Sequence, residues 1–196
     1  MGRQVCCPNS GGADFLVKFT ETSIPGAFII DIEPKTDDRG FFARSFCAEE
    51  FAFHGLNPTV AQTSISFNAK RGTLRGMHYQ SRPHGEAKLV RCVSGSVYDV
   101  IVDLRTESPA AKRWFAVELS AANYRMIYIP EGCAHGFQTL ADNSELHYQM
   151  SEFFHPESTR GFHWRDGQFD IPWPIRETVI SPRDQELPLF QNCELY

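Results

Sequence analysis

Short apolar runs, each closed within a few residues by a turn signal, recur along this chain from Phe28 onward and leave no room for a long helix. AFIIDIEP gives way to DDRG and then to GFFARSF; TVAQTSISF, GTLRGMHYQ, AKLVRCV, SVYDVIVDL, RWFAVELS, RMIYIP and ELHYQMSEFF follow at close intervals. Runs of this length, rich in β-branched and aromatic residues, read as strands, and many of them in succession predict an all-β sandwich or barrel. The exception is AEEFAF at Ala48 to Phe53, where two acids lead a short apolar face and Gly55 follows as a stop, predicting one brief helix. In SVYDVIVDL, Tyr98, Val100, Val102 and Leu104 form one uniformly apolar face that should meet a core. Ser94-Gly95-Ser96 predicts a tight hairpin between two strands. From Trp164 the tail carries Pro172, Pro174, Pro182 and Pro188, which predicts extended chain wrapped over the surface.

A chain of 196 residues fits one domain. The segment MGRQVCCPNSGG is polar and Gly-rich, so residues 1–20 are expected to form a poorly ordered extension and 21–196 the single domain. A formal charge of −5, from 24 acids against 19 bases, gives no footprint for nucleic acid or an acidic membrane, although a local cluster of bases suffices for a small phosphate ligand. The six cysteines (Cys6, Cys7, Cys47, Cys92, Cys133 and Cys193) show neither C-x-x-C spacing nor a disulfide framework. With no signal-peptide core and no stretch of membrane-span length, the expected location is the cytoplasm, with reduced thiols.

Polar and ionisable groups concentrate at Arg71 to Gln80, Ala87 to Arg91 and Glu131 to Phe137. Strict alternation in the first segment places His78 on the face of Leu74 and Gly76 and turns Arg75, Met77 and Tyr79 the other way. Taken alone, a histidine on such a face is more often a hydrogen-bonded core residue than a reactive one. Pro130-Glu131-Gly132-Cys133-Ala134-His135 resembles the second cupin signature, and Gly72 followed by His78 resembles the start of the first. Metal-binding cupins place a second histidine where Gln80 stands and an Asn where Thr139 stands. His78 and His135 are too few for a transition-metal site, so a metal-free pocket is expected.

Read together, Asp38-Arg39-Gly40-Phe41-Phe42, Leu74 to Gln80, Lys88-Leu89-Val90-Arg91, Val102-Asp103-Leu104-Arg105, Ile129 to Phe137, Trp173-Pro174 and Ser181-Pro182-Arg183-Asp184 resemble the dTDP-4-dehydrorhamnose 3,5-epimerase family over about residues 24 to 190. The resemblance implies a cupin-like jelly-roll β-barrel with a short helix and an extended C-terminal segment. It also implies a nucleotide-diphosphate sugar as substrate, no cofactor, and a homodimer that exchanges N-terminal strands so that Arg39 and Phe42 serve the neighbour's pocket. In such a substrate, a 4-keto-6-deoxyhexose, the C4 ketone acidifies the hydrogens on C3 and C5. Inversion then needs a base, a donor for the enolate oxygen and an acid on the opposite face. The family pattern assigns these roles to His78, Lys88 and Tyr148, with Asp184 orienting His78.

Each role suits its residue type. Imidazole titrates near ~6.5 and a phenol near ~10, so the first can accept a proton and the second donate one at neutral pH. Arg39, Arg75, Gln62, Phe42 and His135 fall on family contact positions, and guanidinium forks match phosphate oxygens. The nucleotide end departs from the pattern. Thr63 and Ser64 replace Asp and Asn, Arg44 and Arg160 stand at positions of Glu, and Arg183 replaces Lys, exchanging acceptors for donors. Phe153 and Phe154 replace a pair that is often Tyr-Tyr. The nucleotide and the choice of C3, C5 or both therefore stay open. A sugar 3,4-ketoisomerase and a non-catalytic nucleotide-sugar-binding cupin are the alternatives; Tyr148 counts against the first, and the four catalytic-type residues together count against the second.

Overall fold

The computed structural model describes residues 16–176, 178–192 and 196. Cys6, Cys7, Cys193 and most of the expected N-terminal extension lie outside the described residues. In chain order the elements are β1 (Val17–Glu21), β2 (Phe28–Ile32), β3 (Lys35–Asp37), β4 (Gly40–Phe42), α1 (Ala48–Phe53), β5 (Gln62–Asn68), β6 (Leu74–Gln80) and β7 (Lys88–Ser94). They continue with β8 (Ser96–Asp103), β9 (Trp114–Ser120), β10 (Met126–Ile129), β11 (Cys133–Thr139), β12 (Ser144–Met150), β13 (Thr159–Gly161) and α2 (Pro182–Gln185). All strand pairs within the sheets are antiparallel. Two sheets, ordered β1-β2-β10-β7-β12-β5 and β13-β6-β11-β8-β9, face each other as a cupin-like jelly roll, and β3 and β4 form a separate hairpin. Among the described residues no helix is long and apolar enough to cross a membrane.

Alternation along the strands explains the core. The inward residues Val90 and Cys92 of β7, Val97 and Ile101 of β8, Phe137 of β11 and Leu146 of β12 fill the space between the sheets. Their neighbours point outward and are covered in turn. α1 sits where the sequence places it and packs Phe51 against Phe28, Leu89 and Tyr128 on the outside of the six-stranded sheet. The tail lays Phe162, Phe169 and Phe190 over Met77, Val100, Val102 and Leu104 on the outside of the five-stranded sheet. The apolar face of SVYDVIVDL thus does meet a core, but the outer one beneath the tail; Val97 and Ile101 on its other face line the barrel interior. β8 is buried on both sides.

Three local expectations need correction. Ser94-Gly95-Ser96 is no hairpin, because β7 and β8 belong to different sheets. It is a corner between layers, with Gly95 at φ +69° and no room for a Cβ beside Ser144. The strand in ELHYQMSEFF ends at Met150, leaving Phe153 and Phe154 exposed on the turn that follows.

The third concerns Arg75 and His78, which alternation puts on opposite faces. In the pairing with β11, His135 opposes His78 and Phe137 opposes Arg75, so two steps on β11 face three on β6. The extra residue is a bulge that turns both side chains inward. It centres on Gly76, at φ +131°, where an added Cβ would fall 2.5 Å from Gly136 Cα. Gly76→Ala should therefore cost on the order of 3 kcal/mol and lower the melting temperature by ~6–12 °C. A calorimetric scan checks this, and a melting point unchanged from wild type would contradict the close approach.

Candidate active site

At one end of the barrel polar groups enter the inward-facing rows, beside Met150. Along β7 they run Cys92, Val90, Lys88, and along the paired β12 they run Leu146, Tyr148, Met150. An open cavity of about 450 Å³ results. It gathers His78, Lys88, Tyr148 and Asp184 together with Gln62, Arg75, His135 and Arg183. Arg39, Phe42, Arg44 and Arg160 do not line it. Arg39 and Phe42 lie on the exposed β3–β4 hairpin, with Arg39 paired to Asp37. Arg44 is bound by Glu50 at 2.6 Å, and Arg160 donates to the carbonyls of Glu157 and Thr159.

His78 Nε2 lies 2.8 Å from Asp184 Oδ1, which leaves Nδ1 as the nitrogen available to take a proton. Asp184 comes from α2, a single turn started by Pro182 and capped by Ser181, whose Oγ accepts the Asp184 N–H at 3.1 Å. Its Oδ2 accepts the Gly76 N–H at 3.3 Å. Burial pushes the Asp184 carboxyl up, but the hydrogen bond and charge of His78, the Gly76 N–H and the charge of Arg183 outweigh it, so the group rests below the usual carboxylate range. A carboxyl lowered on folding contributes stability that is present above its unfolded pKa and lost as the pH falls through the folded value. Melting points followed downward from about pH 5 should fall less steeply in Asp184→Asn than in wild type. Identical slopes would contradict the pairing.

Tyr148 faces this dyad from the other sheet, as does Lys88. Burial, followed by the charge of Asp99, holds the Tyr148 phenol well above its ordinary range, so it carries its proton at neutral pH. The Lys88 side chain is 12% exposed and its Nζ lies 3.0 Å from Glu86 Oε1, so it is an enclosed, paired ammonium and no solvated strand end.

Two participants escape a reading of the sequence. Asp99, fully buried on β8, meets His135 Nε2 at 2.8 Å through Oδ2, while its Oδ1 has no hydrogen-bond partner among the described residues. The only hint was its place between Val97 and Ile101 on a face that turned out to be interior. Glu86 stands two residues before Lys88, the spacing that puts two side chains on one face of extended chain, and that signal was available. Cys92 and Cys133 are free and buried; burial pushes their thiols to about 11 and about 12, which removes both as nucleophiles at neutral pH.

A family model described as dTDP-4-dehydrorhamnose 3,5-epimerase matches residues 21–192. The chain belongs to the dTDP-4-dehydrorhamnose 3,5-epimerase family. It is 41% identical over 177 residues to the dTDP-4-dehydrorhamnose 3,5-epimerase of Shigella flexneri, covering 90% of this chain and 97% of that protein. It is 37% identical over 184 residues to a dTDP-4-dehydrorhamnose 3-epimerase of Streptomyces niveus, covering 87% and 88%. The crystal structure of the Bacillus anthracis dTDP-4-dehydrorhamnose 3,5-epimerase with TDP and PPi bound superposes with a TM-score of 0.86 at 37% identity, covering 89% of this chain and 99% of that one. Members of the epimerase family thus include both 3,5- and 3-epimerases at similar distance from this chain.

Proposed function

We propose that this protein is an isomerase of deoxysugar biosynthesis that inverts C3, C5 or both in a nucleotide-linked 4-keto-6-deoxyhexose. The observation that carries this reading is one cavity lined by the His78–Asp184 pair, held by β6 and α2, and by the protonated Tyr148 phenol and Lys88 on the facing sheet. In this reading His78 Nδ1 takes the proton from the carbon next to the ketone, and the electron pair moves onto the C4 oxygen. Lys88 donates to that oxygen, and Asp184 balances the imidazolium. Tyr148 returns a proton to the opposite face, which inverts the centre. Only protons move, so the reaction calls for no cofactor. Arg75 and Arg183 offer guanidinium groups to the diphosphate.

The test is incubation with dTDP-, UDP-, GDP- and CDP-linked 4-keto-6-deoxyglucose in deuterated water, followed by NMR. Deuterium at an inverted C3 or C5 is expected and reports nucleotide and position together. A moved carbonyl would identify a ketoisomerase, and binding without exchange a non-catalytic cupin; either would overturn the proposal.

The assembly that suits this reading is a homodimer in which the hairpin of one subunit completes the neighbour's pocket. Arg39 and Phe42 stand exposed, 67% in the case of Phe42, and the six-stranded sheet exposes Ile65 and Phe67 on its edge strand β5. Arg39→Ala and His78→Asn should each be nearly inactive alone. Refolded together they should regain activity, because half the sites of a hybrid dimer pair an intact His78 with an intact Arg39. No recovery on mixing would rule out a shared site.

A further inference from the structure

The segment between β6 and β7 and the segment leaving β12 meet near the cavity, and each brings a histidine. The rings of His84 and His155 stack with centroids 3.5 Å apart and planes within 10°. Glu157, in the turn Pro156–Ser158, places Oε1 3.1 Å from His155 Nδ1. One ligand atom from each of these three residues lies within 4.8 Å of the other two. None of them belongs to the cavity lining. We propose that His84, His155 and Glu157 form a binding site for a divalent transition-metal ion of the zinc class, which ties the two segments together.

The distances suit such an ion. Two bonds of about 2.0–2.1 Å at the tetrahedral angle separate their donors by roughly 3.3–3.4 Å, and the His155 Nδ1 to Glu157 Oε1 pair, at 3.1 Å, is already close to that bite. The ion takes the place of the proton they share. His84 has to turn out of the stack, because an ion in the plane of one ring lies outside the plane of a parallel neighbour. His84 is half-buried at the surface. Two imidazoles and one carboxylate form a donor set for Zn²⁺, Ni²⁺ or Cu²⁺, whereas Mg²⁺ and Ca²⁺ require oxygen shells. Glu152, with Oε1 4.0 Å from His155 Nε2, adds negative charge beside the site.

The backbone is held ready for this. Gln80, only 4% exposed, donates through Nε2 to the His84 carbonyl at 3.0 Å and accepts the His155 N–H through Oε1 at 2.7 Å. Ser81 and Ser158 join the same two segments, since the Ser81 N–H donates to the Ser158 carbonyl. Ordering of the ligands is therefore largely complete before an ion arrives, and side-chain rotation supplies the rest. The segments so tied carry Glu86 and Phe154 into the cavity wall, which makes the ion a clasp on the rim and no participant in proton transfer.

Isothermal titration of zinc chloride into the full-length, chelator-stripped chain tests the site. The double variant His84→Asn/His155→Gln should bind one equivalent fewer than wild type. Glu157→Gln should bind that equivalent on the order of 10-fold more weakly. The rise in melting temperature that zinc gives wild type should vanish in the double variant. Equal uptake by wild type and double variant, at any stoichiometry including zero, overturns the proposal. A second measurement needs no variant. Cobalt(II) should give the d–d absorption of a nitrogen and oxygen site, and failure to bind, or a thiolate charge-transfer band showing capture by cysteine, overturns it equally.

Discussion

Replacing His78 by Asn is expected to abolish deuterium incorporation at C3 and C5 and to lower turnover by on the order of 100- to 10,000-fold, the usual contribution of a positioned base. His78 is 34% exposed and lines an open cavity, so its ring carries little of the packing. Asp184 keeps the Gly76 N–H and the charge of Arg183 when the imidazole is gone. The loss of stability should thus stay within the ~1–3 kcal/mol of one buried polar group that has lost a partner, and nucleotide-diphosphate binding should survive. Exchange measured by NMR and binding measured by titration separate the two effects. Normal binding with exchange at the wild-type rate would remove His78 from the chemistry.

Replacing Tyr148 by Phe is expected to split two events that the intact protein couples. The ring packs beside the interior cluster and lies 5.9 Å, centroid to centroid, from His135, and Phe preserves both contacts. What disappears is the proton that burial keeps on the phenol. Removal of the substrate hydrogen by His78, from the other sheet, does not require it. The variant should exchange C–H for C–D with configuration retained, while inverted product falls by about 100-fold or more. NMR of the recovered sugar gives label content and stereochemistry at each carbon. Inversion at the wild-type rate would transfer the acid's role to another residue.

How far the sequence reaches differs from element to element. Strands such as β7 and β8 announce themselves through Val, Ile and Leu, and α1 falls on the predicted residues because its acids and following glycine mark both ends. β1 escapes because it is an edge strand anchored by little more than Val17 and Phe19. β11 escapes for the opposite reason: buried along its whole length, CAHGFQT needs small residues where β6 comes close, and Gly and His do not look like a strand. The bulge at Gly76 changes a parity that no local pattern records, and it decides that Arg75 joins His78 in the cavity. The roles proposed for Lys88, Tyr148 and Asp184 rest on resemblance to a family, since composition and spacing alone favour ordinary structural roles for all three. Contacts between distant segments, such as Asp99 with His135 across 36 residues, belong to the fold and leave no trace in the linear order.

The covering of the five-stranded sheet by the tail has a temporal side. Chains emerge from the ribosome N-terminus first, and every strand of both sheets precedes Phe162. The segment that follows them brings Phe169 and Phe190, which seal the outer face, and between them Asp184, which completes the pair with His78. A nascent or truncated chain would hold a barrel with an unsealed apolar side and a histidine without its carboxylate. Sealing of the outer layer and pairing of His78 with its carboxylate are thus one event.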